Sequence, residues 1–271
     1  MSTSSNEVEN RLKPHLTIKK AQALYGLSNP VSFTFNRAQF VGVVGSNGAG
    51  KSSLLRLLCG LNYTKGQILI SDMSLKDLTH LDRAQRIAYL PQSPPLSPHW
   101  TVEEILKQGL YPHLNSSRLQ RIERELSDLI DRLDLRPLLK REVAYISGGE
   151  RQRTLIARTL AQSTPIMILD EPLSALDWHT QEIIIRELKY LCEQRQTLII
   201  ASIHELNLAS LYTDELIMLK NGDVINAGPT TQMMTEEHIN QTFMSQVRWL
   251  KHPTDHRYQQ LPWGIQRKNH P

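Results

Sequence analysis

The chain has 271 residues, 40% hydrophobic and 21% charged, with a formal net charge of +4. That length allows a sizeable core in one large domain or two small ones, and no apolar run approaches the roughly 18 residues needed to cross a bilayer. Lys and Arg are dispersed without a basic-aromatic stripe, so no nucleic-acid partner is implied; two cysteines, Cys59 and Cys192, lack CxxC spacing and read as buried free thiols.

Residues 1–14 are polar, carry no secretion-signal segment and read as a flexible start. The protein is therefore expected in the cytosol, with any membrane role coming through a partner. Short alternating runs at Leu16–Ile18, Ser32–Phe35 and Phe40–Val44 predict strands separated by turns. Directly after the last of these comes Gly45-Ser46-Asn47-Gly48-Ala49-Gly50-Lys51-Ser52, followed by a helical pattern over Ser53–Cys59. Strand, glycine-rich turn and helix in that order form a phosphate loop. Glycines let successive N–H groups point inward at an anion, and the helix adds the positive end of its dipole. Lys51 is expected on the β- and γ-phosphates and Ser52 on Mg²⁺, with Ser53 completing the cradle.

Further strands are predicted at Gln67–Ile70 and Ile87–Leu90, then a proline-rich loop at Ser93–Trp100. From Thr101 the period becomes helical: Thr101 with Glu104, and Ser147 with Glu150, fit capping boxes, and Leu119–Leu133 has helical spacing between them. The second box opens a helix through Ala161. Strands follow at Ile166–Leu169, Thr197–Ala201 and Glu215–Leu219, with a helix over Gln181–Glu193. Asn221-Gly222 is a two-residue hairpin turn into Asp223–Asn226. The tail from His238 is polar and poorly periodic. The whole predicts an α/β fold with an open, mainly parallel sheet around the phosphate loop, interrupted by a helical insert over about residues 96–161. The expected divisions are a flexible start at 1–14, one ATPase domain at 15–245 and a tail at 246–271.

The strand Ile166–Leu169 delivers Asp170 and Glu171 at its C-terminal end. In phosphate-loop ATPases an acid there fixes Mg²⁺, so Asp170 is assigned to the metal and Glu171 to the general base that polarises the attacking water. Ser147-Gly148-Gly149 offers unobstructed N–H groups at a helix start, where a capping box alone does not require two glycines.

With Ile146-Ser147-Gly148-Gly149-Glu150 in view, the chain resembles an ATP-binding cassette (ABC) ATPase over about residues 16–245. The resemblance implies a P-loop NTPase core with a mainly parallel sheet, an antiparallel β subdomain and an inserted helical subdomain, and it implies further roles. Gln92 matches the glutamine that contacts Mg²⁺ or water. Asp177, in Ser174-Ala175-Leu176-Asp177, matches the loop lying across a dimer seam, and His204 matches the γ-phosphate histidine. Tyr25 matches the aromatic residue that stacks on adenine. It also implies a head-to-tail dimer with a second ATPase copy, in which Ser147, Gly148 and Gly149 complete the cage around the partner's ATP. Gln108-Gly109-Leu110-Tyr111-Pro112-His113 resembles importers of iron chelates, haem and cobalamin, which carry Gly-Arg-x-Pro-His here, although Leu110 replaces the usual Arg. That likeness implies integral membrane permease subunits, a periplasmic or surface substrate-binding protein, and a place on the inner face of the cell membrane. The alternatives are a soluble cassette in cofactor assembly, or an importer of another cargo such as metal ions.

Overall fold

The computed structural model describes residues 15–243, together with the backbone of two short strands further on. The expected flexible start therefore lies outside the described residues, as does most of the tail. Two sheets dominate. One is antiparallel, with β2 (Val31–Phe35), β1 (Leu16–Ala23), β4 (Tyr63–Ile70) and β5 (Met73–Ser74) in that spatial order. The other has six strands in the order β10 (Asp223–Pro229), β9 (Glu215–Lys220), β3 (Phe40–Gly45), β8 (Leu198–Ser202), β7 (Ile166–Leu169) and β6 (Ile87–Leu90). All neighbours in the six-stranded sheet are parallel except the β9–β10 hairpin. The fold class read from the sequence is the one observed.

The parallel strands are continuous apolar runs because both of their faces are covered. Successive side chains serve two different cores. Val41, Val43, Ile166, Ile168 and Ile200 pack toward α1 (Lys51–Leu58) and the antiparallel sheet, while Phe40, Val44, Met167, Leu169 and Ala201 pack toward the helical side. Shifting any strand by one residue would exchange the two sets.

The helical insert holds α3 (Val102–Gln108), α4 (Leu119–Arg132) and α5 (Gly148–Ala161). Both capping boxes are formed: Thr101 with Glu104, and Ser147 with Glu150. A third, Thr79 with Asp82, opens the short α2 (His80–Ala84), which the spacing does not predict. Pro112 and His113 form a 3₁₀ turn rather than a helix continuation, and the buried His113 places Nε2 2.7 Å from the Gln162 carbonyl at the end of α5. Leu110, standing where the motif carries Arg, is buried in the core. The remaining helices are α6 (Trp178–Arg195), α7 (Leu206–Tyr212), α8 (Thr230–Met233) and α9 (Glu236–Phe243). The last occupies part of the segment read as aperiodic, and a separate hairpin pairs β11 (Arg248–Lys251) with β12 (Tyr258–Leu261). Cys59 and Cys192 are both free and buried.

Candidate nucleotide site

Four adjacent parallel strands end on one edge of the sheet, and each leads directly into a sequence-predicted residue. β3 runs into the phosphate loop, β6 into Gln92, β7 into Asp170 and Glu171, and β8 into His204. This is the edge at which open α/β sheets bind ligands.

In the phosphate loop Ser46, Asn47 and Gly48 are exposed at the crest, and α1 begins at Lys51. Gly50 has φ +101°, and a Cβ there would stand 2.4 Å from the Gly26 carbonyl oxygen, so no other residue fits. The loop is braced from beneath by the predicted hairpin turn. Asn221 and Gly222 both have positive φ, Gly222 N–H donates to the Ala49 carbonyl at 3.1 Å, and Ser28 N–H donates to the Gly222 carbonyl at 2.9 Å. Lys51 is buried, and its ammonium donates to the Gly45 and Ser46 carbonyls at 2.9 and 3.1 Å. Burial lowers its pKa, opposed by the nearby charges of Glu171 and Asp170. Ser52 and Ser53 follow in the first turn of α1, both half-buried.

The acidic pair is held by a residue that sequence reasoning missed. Parallel register sets Leu169 beside Ala201, so the next residues, Asp170 and Ser202, also meet. The buried Ser202 hydroxyl donates to Asp170 Oδ1 at 2.9 Å and accepts the Glu171 N–H at 2.7 Å. Asp170 Oδ2 is buried with no hydrogen-bond partner among the described residues. An unmatched buried carboxylate oxygen is costly, and a hard cation or its water shell is the group that satisfies it. The residues thus fit Mg²⁺. A serine closing an otherwise apolar strand, Leu198–Ser202, was the available signal.

Glu171 has φ +52°, an uncommon conformation for a residue with a side chain. Its carboxylate meets His204: Nε2 lies 2.8 Å from Oε1. Two residues assigned separately from sequence are therefore neighbours. Gln92 is exposed on the loop after β6. Tyr25 is also exposed; its phenolic oxygen accepts from Arg56 of α1 at 3.0 Å, which sets it beside the phosphate-loop helix.

The remaining predicted residues cluster at the start of α5. Ser147 Oγ accepts the Glu150 N–H, and Glu150 returns a bond to the Ser147 N–H at 2.7 Å. Gly149 lies near the Ala175 carbonyl, so this helix start abuts the loop that ends in Asp177. Asp177 is occupied locally: it caps α6, accepting Thr180 N–H and hydroxyl bonds at 2.9 Å each. Those bonds hold its carboxyl below the usual range.

Among the described residues no helix is long and apolar enough to cross a membrane, and no group of three or more His, Cys, Asp or Glu could hold a metal ion. The family model described as "ABC transporter" matches residues 28–174. Two relatives are import ATP-binding proteins. The cobalamin import protein BtuD of Halobacterium salinarum is 36% identical over 208 residues, 76% of this chain and 52% of the relative. The hemin import protein HmuV of Escherichia coli O157:H7 is 32% identical over 237 residues, 85% of this chain and 91% of the relative. The match thus spans about half the length of the halobacterial relative and nearly all of the hemin protein. Among solved structures, a chain of an inward-facing ABC transporter, described as of metal-chelate type, superposes with TM-score 0.74 at 25% identity, covering 93% of this chain and 98% of that one. A dimeric ATP-binding cassette bound to ADP and Pi superposes with TM-score 0.69 at 25% identity, covering 79% and 98%. With that match over more than half its length, and with the strand-edge geometry that such a site requires, the chain belongs to the ABC transporter family as an ATP-binding cassette.

Proposed function

We propose that this protein hydrolyses ATP with Mg²⁺ to energise a membrane importer, most closely one for iron chelates, haem or cobalamin. The observation that carries the ATPase reading is the Asp170 oxygen left without a partner on the edge where the phosphate loop also ends. Lys51 meets the β- and γ-phosphates once the nucleotide displaces its contacts with the loop carbonyls. Tyr25 stacks on the base, and Ser46–Ser53 supply the N–H cradle. Ser52, Gln92 and Asp170 hold Mg²⁺, which when bound offsets charge on the phosphate oxygens. Glu171 takes a proton from the attacking water while His204, already 2.8 Å away, orients it and contacts the γ-phosphate.

Gly148 and Gly149 support the shared site. Glycine in a helix costs up to about 1 kcal/mol per residue relative to alanine. Neither glycine has a positive φ; a Cβ on Gly148 would meet nothing within 4 Å, and on Gly149 only the Ala175 carbonyl at 3.4 Å. Nothing in this chain requires glycine at either position, so the requirement comes from a group approaching from outside. A partner's ATP, in a head-to-tail dimer with Asp177 at the seam, is that group.

For a permease, the helical insert and α2 present exposed apolar side chains. Leu81, Tyr111 and Leu114 sit on segments joined by the Gln85 side chain donating to the Pro112 carbonyl at 2.8 Å. Exposed apolar groups on neighbouring segments suit an integral membrane partner. The names of the import relatives support the direction of transport; the same reading puts the chain on the cytoplasmic, inner face of the membrane, with a substrate-binding protein on the far side.

Detergent extraction and affinity purification of the full chain test this. Recovery with a polytopic membrane protein is expected, and recovery only in soluble complexes would overturn the importer reading. Growth of a deletion strain on defined iron or cobalamin sources then separates the cargoes.

A further inference from the structure

Glu171 is held in its left-handed turn by more than its own strand. Its N–H is taken by Ser202 Oγ at 2.7 Å, and Ser174 Oγ donates to its carbonyl at 2.9 Å. The side-chain amide of Gln152 donates to the same carbonyl at 3.2 Å and to the Pro172 carbonyl at 3.0 Å. Gln152 belongs to α5, one helical turn beyond Gly149. A single side chain thus bridges the helix proposed to cap the partner's nucleotide and the main chain that aims the proposed general base.

We propose that Gln152 is the positioning residue for Glu171, and that it ties the aim of the base at one nucleotide site to the helix that senses the other. The inference rests on the reading of Glu171 as base and of Ser147 to Gly149 as the partner's cap. The physical argument has two parts. A residue held at φ +52° relaxes toward ordinary backbone angles unless its surroundings over-determine it. The amide is also the suited group: it carries two N–H donors facing two carbonyl oxygens, with no charge to neutralise. An isosteric carboxylate in that place would face both oxygens without a proton.

The test uses the full chain with Gln152→Leu, Gln152→Glu and Gln152→Lys beside Glu171→Gln. Displacing a base by about 1 Å costs up to about 10²-fold in turnover. The Leu and Glu variants should therefore lose about 10- to 100-fold in kcat at neutral pH, with the KM for ATP and ATP-driven dimerisation nearly unchanged. Lys keeps a donor and should keep most of the activity. Gln152→Glu should recover relative to wild type as pH falls, because a protonated carboxyl donates again, whereas Gln152→Leu should not. Wild-type turnover in both the Leu and Glu variants, or a loss that merely follows a collapse in thermal midpoint or ATP affinity, would overturn the positioning role. Undiminished turnover in Glu171→Gln would instead remove the base assignment on which it rests, so the two failures are distinguishable.

Discussion

His204 Nε2 lies 2.8 Å from Glu171 Oε1, although 32 positions separate the two residues in the chain, and β7 and β8 as neighbours bring them together. His204 meets the Glu171 carboxylate and Ser202 its N–H, and the proposed role of Glu171 is to polarise the attacking water. Replacing it by Gln keeps the shape and removes the proton acceptor. Glu171→Gln should lower ATP turnover by about 10²–10⁴-fold. ATP binding should survive, so the variant should accumulate as an ATP-bound dimer, visible by size-exclusion chromatography with light scattering.

Ser202 makes a second, separable prediction. Its hydroxyl satisfies two buried groups at once, Asp170 Oδ1 and the Glu171 N–H. Ser202→Ala leaves both without a partner, at a cost to stability of about 1–3 kcal/mol. Urea unfolding should report that loss, and the Mg²⁺ concentration for half-maximal turnover should rise, since Asp170 is no longer fixed. Full stability in the variant would show that another group takes over both bonds.

Gly148 separates fold from assembly. Because a Cβ there meets nothing within 4 Å and φ is ordinary, Gly148→Ala should keep the fold and raise helix stability by up to about 1 kcal/mol. Gly148→Arg should fold equally well yet abolish ATP-driven dimerisation and turnover. Thermal melts beside dimerisation assays check both statements. Normal dimerisation by the Arg variant would place the partner's nucleotide elsewhere.

His15 governs part of the acid stability. It is buried at 2% exposure, with Nδ1 3.4 Å from Ser71 Oγ, and burial followed by the charge of Arg37 lowers its pKa to about 4. The folded state keeps His15 neutral while the unfolded chain protonates it near pH 6.5. Its stabilising contribution is therefore complete above pH 6.5 and is lost as pH falls toward 4, in total about 3 kcal/mol. A His15→Gln variant should lose correspondingly less stability over that window in urea titrations at stepped pH. Equal acid sensitivity of variant and wild type would assign the effect to other groups.

The parts of this protein legible in the sequence are those whose physics is local. A phosphate loop is a contiguous run whose glycines, lysine and serine act through adjacent backbone, so Gly45 to Ser53 could be read as a unit. Apolar strands buried on both faces announce themselves by composition, and the Ser147 and Thr101 caps by a three-residue spacing. The short α2 and α9 were not legible, because one turn or two of helix carries too little periodicity and tertiary contacts decide its conformation.

The sequence by itself singled out the residues proposed to carry the chemistry: Lys51, Ser52, Asp170, Glu171 and His204 follow from motif and order. Only the tertiary structure decided how they are held. The parallel register of β7 and β8 brought Ser202 under the acidic pair, the approach of α5 brought Gln152 to the Glu171 carbonyl, and the Asn221-Gly222 turn became the brace beneath Ala49. A serine or glutamine has no motif of its own; what it bonds depends on which distant strand or helix the packed core sets beside it.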